Sequence, residues 1–94
     1  MKSNIEITMS NSEGVLERIL GCLRQRGFTL CSISATESAD ESALVAHIKI
    51  KSERSIELAV KQIRKLYDVH SVMVEAMEEG QNGYRHLQAA TSQA

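Results

Sequence analysis

From Ala43 to Lys51 the chain alternates with a period of two. Leu44, Ala46, Ile48 and Ile50 fall on one side, and Val45, His47, Lys49 and Lys51 on the other. Side chains on a strand point to opposite faces in turn, so this segment has one dry face and one wet face. A parallel sheet buried on both faces does not read this way; an antiparallel sheet covered on one side does. Residues 4–10 repeat the pattern, with Ile5, Ile7 and Met9 apolar and Glu6 and Thr8 polar between them. Both segments therefore demand a covering layer, and the rest of the chain has to supply it.

Two helices fit that need. After the turn Asn11-Ser12-Glu13-Gly14, the residues Val15, Leu16, Ile19, Leu20 and Leu23 recur at helical spacing, with Cys22 beside them. Asn11 or Ser12 is the expected cap, and Glu13 lies near the positive end of the helix dipole. Arg24 and Arg26 occupy the last turn, and Gly27 follows as the residue that stops the helix. The second helix is expected from a cap at Ser52 to Asp68, with an apolar stripe of Ile56, Ala59, Val60, Ile63, Leu66 and Tyr67 and a surface pair Glu57–Lys61. Residues 28–36 form a further strand, with Cys31, Ile33 and Ala35 on one face and Leu30, Ser32 and Ser34 on the other. A polar hairpin loop spans 37–42. A fourth strand covers about 69–77, with Val72, Val74 and Ala76 on one face.

The order is β-α-β-β-α-β: an α+β, ferredoxin-like arrangement with a four-stranded antiparallel sheet and two helices on one face. With 94 residues there is room for one domain. Its expected limits are a lead at 1–3, the folded unit at 4–77 and a frayed tail at 78–94, where the apolar pattern fades into Gln, Ala and Ser.

This architecture hosts many unrelated functions, so each must be tested on residues. A net charge of −1 argues against a nucleic-acid binder working by bulk charge, and only three aromatic residues weaken any base-stacking platform. An RNA-recognition motif would carry aromatics where the third strand has Val45, His47 and Lys49. The first loop has no Cys-x-x-Cys for a soft metal and no arginine cradle for an acyl phosphate. Two cysteines cannot hold an iron–sulfur cluster; Cys22 and Cys31 are expected as small buried hydrophobes. His47, His70 and His86 lie on different elements without ligand spacing, and His47 and His70 are expected on strand surfaces. No P-loop, nucleophile elbow or dinucleotide turn is present, so no catalytic residue is assigned. The chain lacks an apolar run of about 20 residues. Its start, Met1-Lys2-Ser3-Asn4-Ile5-Glu6, has no signal-peptide core, which predicts a cytoplasmic protein with no membrane partner.

One local feature suggests ligand chemistry. Asn11–Gly14 joins a strand to a helix N-terminus, whose N–H groups favour an anion such as an amino-acid carboxylate. Asn11 offers both donor and acceptor, and Gly14 allows close approach. A capped helix with a packing glycine explains the same residues. The basic trio Lys61, Arg64 and Lys65 reads either as a partner patch or as a solvated face.

The stretch Asn11-x-x-Gly14-Val15-Leu16-x-Arg18-Ile19, followed by Arg26-Gly27-Phe28, resembles the ACT domain, a βαββαβ regulatory module that often binds amino acids. Within that family, Gln25-Arg26-Gly27-Phe28 and Lys65-Leu66-x-Asp68-Val69 are similar to the small, regulatory subunit of acetohydroxyacid synthase (acetolactate synthase). The single domain and Arg26-Gly27-Phe28-x-x-Cys31-Ser32 resemble its short isozyme II type, which is insensitive to valine. The resemblance implies a non-catalytic, homodimeric subunit that binds and activates a large catalytic subunit. The large subunit would condense pyruvate with pyruvate or 2-oxobutyrate, the first shared step of branched-chain amino-acid synthesis. Thiamine diphosphate, Mg²⁺ and FAD would sit there, with no cofactor in this chain. It also implies an effector site at Asn11, Gly14 and Thr29, where longer relatives have an asparagine in place of Thr29. Threonine gives up the paired donor and acceptor of an amide, which implies a weak or vestigial valine site. The alternatives are a valine-responsive inhibitory subunit and a free-standing amino-acid sensor.

Overall fold

A computed structural model describes residues 1–78. Its elements are β1 (Lys2–Ser10), α1 (Val15–Gln25), β2 (Thr29–Glu37), β3 (Ala43–Lys51), α2 (Ile56–Arg64) and β4 (Val69–Glu78). The sheet order is β2-β3-β1-β4 and every neighbouring pair is antiparallel. The expected four-stranded, two-helix fold is the one observed. Of the expected tail at 78–94, Glu78 closes β4 and residues 79–94 lie outside the described residues.

Burial follows the period-two reading. Ile5, Ile7 and Met9 of β1 and Ala46, Ile48 and Ile50 of β3 are fully buried, against Val15, Ile19 and Leu23 of α1 and Ile56, Ala59 and Ile63 of α2. The apolar stripe of each helix covers the same face of the sheet, and the opposite face stays open to water. β1 begins at Lys2, ahead of the expected start. Ser3, opposite Ile50 and Met77, is already buried, so the lead at 1–3 is largely strand.

The stop of α1 behaves as expected. Gly27 takes φ +91°, its N–H bonds the Arg24 carbonyl, and the Phe28 N–H bonds the Leu23 carbonyl at 2.9 Å. That is the paired Schellman closure, and the buried Leu23 and Phe28 supply its apolar contact.

Several local expectations are corrected. The cap of α1 is Gly14, at φ +84° and without a side-chain bond, because the Asn11 side chain is engaged elsewhere. The cap of α2 is Ser55, whose Oγ accepts from the Glu57 N–H; Ser52 accepts from Arg54 N–H one turn earlier. α2 ends at Arg64 rather than Asp68, and Tyr67 leaves the apolar stripe to stand 93% exposed in the turn that follows. In β2 a register shift between Leu30 and Ser32 isolates Cys31. Leu30 then pairs with Ile50, and Ile33 with Ile48, so Leu30 joins the face of Ile33 and Ala35. A bulge adds one residue and reverses the alternation beyond it, which simple periodicity cannot anticipate. β2 is also an edge strand and all nine of its residues are exposed. Cys31 is therefore exposed and Cys22 half-buried; neither is a core residue. A second shift in β4 pairs Val74 with Ile5 but Ala76 with Asn4, which interrupts the two-residue step expected along Val72, Val74 and Ala76.

Candidate functional site

The turn Asn11–Gly14 sits where β1 leaves the sheet, at the same end as the 38–42 hairpin. It is built from the chain's ordinary logic: the Asn11 N–H donates to the Ser42 carbonyl, and Gly14 accepts from the Arg18 N–H to open α1. A Cβ on Gly14 would meet nothing within 4 Å. Glycine is required there for its positive φ, and the space beside it is open.

The Asn11 amide is not idle. Its Nδ2 donates to Glu37 Oε2 at 2.8 Å and to the Glu41 carbonyl at 3.0 Å, so both of its protons are used. The hairpin it holds has its own clasp. Asp40 Oδ1 accepts from the Ser42 N–H and from the hydroxyls of Ser38 and Ser42. Those bonds, the Ser42 N–H first, lower the Asp40 pKa to about 2. On the other flank, Arg18 of α1 is ion-paired with Asp68, a mostly buried carboxylate ahead of β4. The depression between them is lined by Ser12, Glu13, Arg18 and Lys65–Asp68, with a volume of about 480 Å³.

Thr29 is not part of this cluster. It opens β2 opposite Lys51, eight residues before Glu37. At about 3.3 Å per residue this separates Thr29 from the Asn11 turn by about 26 Å. Within one chain, then, the structure brings Asn11 and Gly14 together and leaves Thr29 at the far end of the edge strand. Thr29 lies instead in a groove of about 320 Å³ between α1 and β2, with Leu20, Leu23, Arg24, Phe28 and Leu30.

Glu37 and the Arg18–Asp68 pair were not found by reading the sequence. Glu37 reads from the sequence as part of a polar loop but closes β2, and nothing in a single sequence links it to Asn11. On the wet face His47 is exposed as expected, but Nε2 lies 3.1 Å from Glu6 Oε2 and 3.5 Å from Glu75 Oε2. His70 is likewise on a strand surface, 3.2 Å from the Ser10 hydroxyl. Among the described residues no helix is long and apolar enough to cross a membrane.

The sequence model of the ACT domain family matches residues 11–72. The chain belongs to the ACT domain family. Its match begins at Asn11 and takes in Gly14, the Gly27 stop, β2, β3 and α2. The chain is 30% identical over 74 residues to the acetolactate synthase isozyme 2 small subunit of Escherichia coli, covering 79% of this chain and 85% of that one. It is 35% identical over 74 residues to the acetolactate synthase small subunit of Bacillus subtilis, covering 77% of this chain and 43% of the relative. The ACT fold is shared with the crystal structure of the acetolactate synthase small subunit from Thermotoga maritima. That match has a TM-score of 0.70 at 20% identity and covers 95% of this chain and 67% of the other. The ACT domain of GTP pyrophosphokinase from Chlorobium tepidum superposes with a TM-score of 0.67 at 16% identity, over 80% and 97% of the two chains.

Proposed function

We propose that this ACT-domain chain is a non-catalytic regulatory small subunit of acetolactate synthase. It would bind a large, thiamine-diphosphate-dependent catalytic subunit, raise its activity and respond little to valine. The single observation that carries this reading is the likeness to the isozyme 2 small subunit, which extends over most of that relative's length as well as most of this chain. In this reading thiamine diphosphate, Mg²⁺ and FAD belong to the large subunit.

The geometry supports a homodimer as the working form. β2 offers an open edge with Leu30 and Ile33 exposed, next to the apolar groove formed with α1. An exposed edge strand with apolar side chains is a template for strand pairing. An antiparallel pairing of two β2 strands centred on Ile33 would bring Thr29 of the second copy across from Glu37, beside the Asn11 turn. Such an arrangement would assemble Asn11, Gly14 and Thr29 into one effector site.

That site is poorly furnished for valine. Glu37 already takes one Asn11 proton, and its carboxylate stands where an effector carboxylate would seek the same donor. The ionised Asp40 in the adjoining hairpin adds negative charge. Threonine at position 29 offers a single hydroxyl in place of an amide. Activation itself needs no effector. A dimer that binds the active conformation of the catalytic chains more tightly than the inactive one shifts the population by that ratio and no more.

The test is acetolactate formation by a purified large subunit, with this chain titrated in, with and without millimolar valine. Saturable stimulation that valine leaves in place supports the reading. Stimulation abolished by valine would restore the inhibitory alternative, and no effect on a cognate large subunit would overturn the subunit assignment.

A further inference from the structure

We propose that Glu6, His47 and Glu75 form a binding site for a borderline divalent cation, with Zn²⁺ the best fit, on the helix-free face of the sheet. The three ligand atoms all lie within 4.8 Å of one another. Strand pairing explains how they meet. Glu6 of β1 is directly opposite His47 of β3 in an unshifted register. Glu75 arrives from the other side of β1, at the point where β4 slips register between Asn4 and Ile5. Val74 pairs with the buried Ile5 and Met73 with Glu6, so the alternation puts Glu75 on the open face with Glu6, and the bulge leaves it unpaired across β1.

The spacing suits a metal better than it suits an ion pair. Nε2 of His47 has at most one proton to give, yet it faces Glu6 Oε2 at 3.1 Å and Glu75 Oε2 at 3.5 Å. Tetrahedral zinc with ligand bonds of about 2.0–2.2 Å sets its ligands about 3.4 Å apart. The two nitrogen–oxygen separations already bracket that value. An imidazole with two carboxylates is a donor set for zinc and its first-row neighbours rather than for Mg²⁺ or Ca²⁺, which prefer all-oxygen shells. The side chains are 49%, 29% and 37% exposed for His47, Glu6 and Glu75, so water can fill the remaining coordination position. His47 and Glu75 also border a depression of about 280 Å³ that gives a cation access. Lys49 lies two residues along β3 on the same face, and its charge opposes the cation and limits affinity.

The experiment is calorimetric titration of the untagged full chain with ZnCl₂, paired with thermal melts, and CoCl₂ absorption spectra to report coordination. One Zn²⁺ per chain, a raised Tm and a Co²⁺ spectrum of low coordination number are expected in the wild type. His47→Gln and Glu75→Gln should each weaken binding at least about tenfold, with unchanged circular dichroism in the absence of metal. Acid should release the ion, because a protonated imidazole cannot ligate. His70 and His86 remain in every variant. Zinc binding that survives His47→Gln at full strength, or no saturable binding by the wild type, overturns the site.

Discussion

The Asn11 amide donates to the Glu37 carboxylate at 2.8 Å, tying the first loop of the ACT domain to the end of its edge strand. If this contact is what closes the loop to amino acids, removing it should open the loop. Glu37→Ala combined with Thr29→Asn is expected to gain a valine-dependent rise in Tm that the wild type lacks at the same valine concentration. Differential scanning fluorimetry of the chain alone checks this. Glu37→Ala by itself should cost no more than about 1 kcal/mol of stability, the usual net value of a hydrogen bond. A double variant that still ignores valine would remove Glu37 from the explanation.

The Arg18–Asp68 pair joins α1 to the turn before β4, with Arg18 half-exposed and Asp68 mostly covered. Pairs open to solvent on one side contribute modestly and are screened by salt. A double-mutant cycle with Arg18→Ala and Asp68→Ala, read by urea unfolding, should give a coupling of about 0.5–1 kcal/mol that shrinks as salt is raised. A coupling insensitive to salt would mean that Asp68 acts through its burial instead.

Two glycines with positive φ should respond differently to alanine. At Gly14 the added Cβ meets nothing, so Gly14→Ala carries only the left-handed backbone cost of about 1–2 kcal/mol. At Gly27 the Cβ would stand 3.0 Å from Nε of Arg54, so Gly27→Ala adds a clash with a flexible side chain to the same backbone cost. Arg54→Ala should recover part of the loss at Gly27 and none at Gly14. Thermal unfolding of the three single variants and the two doubles separates these terms.

Asp40 makes the 38–42 hairpin acid-sensitive. Its folded pKa lies at about 2, held below the ordinary aspartate value by the bonds from Ser42 and Ser38. A carboxylate held below its unfolded pKa contributes fully above that value and loses its contribution as pH falls through the folded pKa. The hairpin should therefore be ordered above about pH 4 and loosen towards pH 2. The Ser42 amide resonance, which follows the bond from Ser42 N–H to Asp40, should titrate with a midpoint near 2. Asp40→Asn should abolish that titration; a midpoint near 4 in the wild type would contradict the clasp.

Much of the fold was legible in the sequence because its causes are local. Period-two alternation in β1 and β3, helical spacing in α1 and α2, and a glycine placed to close α1 each act within a few residues. The family resemblance rested on the same stretch, with Asn11, Gly14 and the Gly27 stop in register. The candidate site was legible only in part: Asn11 and Gly14 were found, but not the partner that engages Asn11. β2 resisted because it is an edge strand. Exposed on all nine residues and bulged at Cys31, it has no buried face to impose an alternation.

The sequence by itself determined the order of elements, the dry faces of β1, β3, α1 and α2 and the glycine stop of α1, since dihedral preference and hydrophobic period are written residue by residue. Only the tertiary structure decided which polar groups meet. Asn11 and Glu37 are 26 residues apart, Glu6 and His47 are 41, and Arg18 and Asp68 are 50. Such pairs are set by strand register, by bulges and by the packing of α1 over the sheet. None of those leaves a periodic trace in the chain, because a polar side chain at a loop or on a wet face is equally content in water until a particular partner is brought beside it.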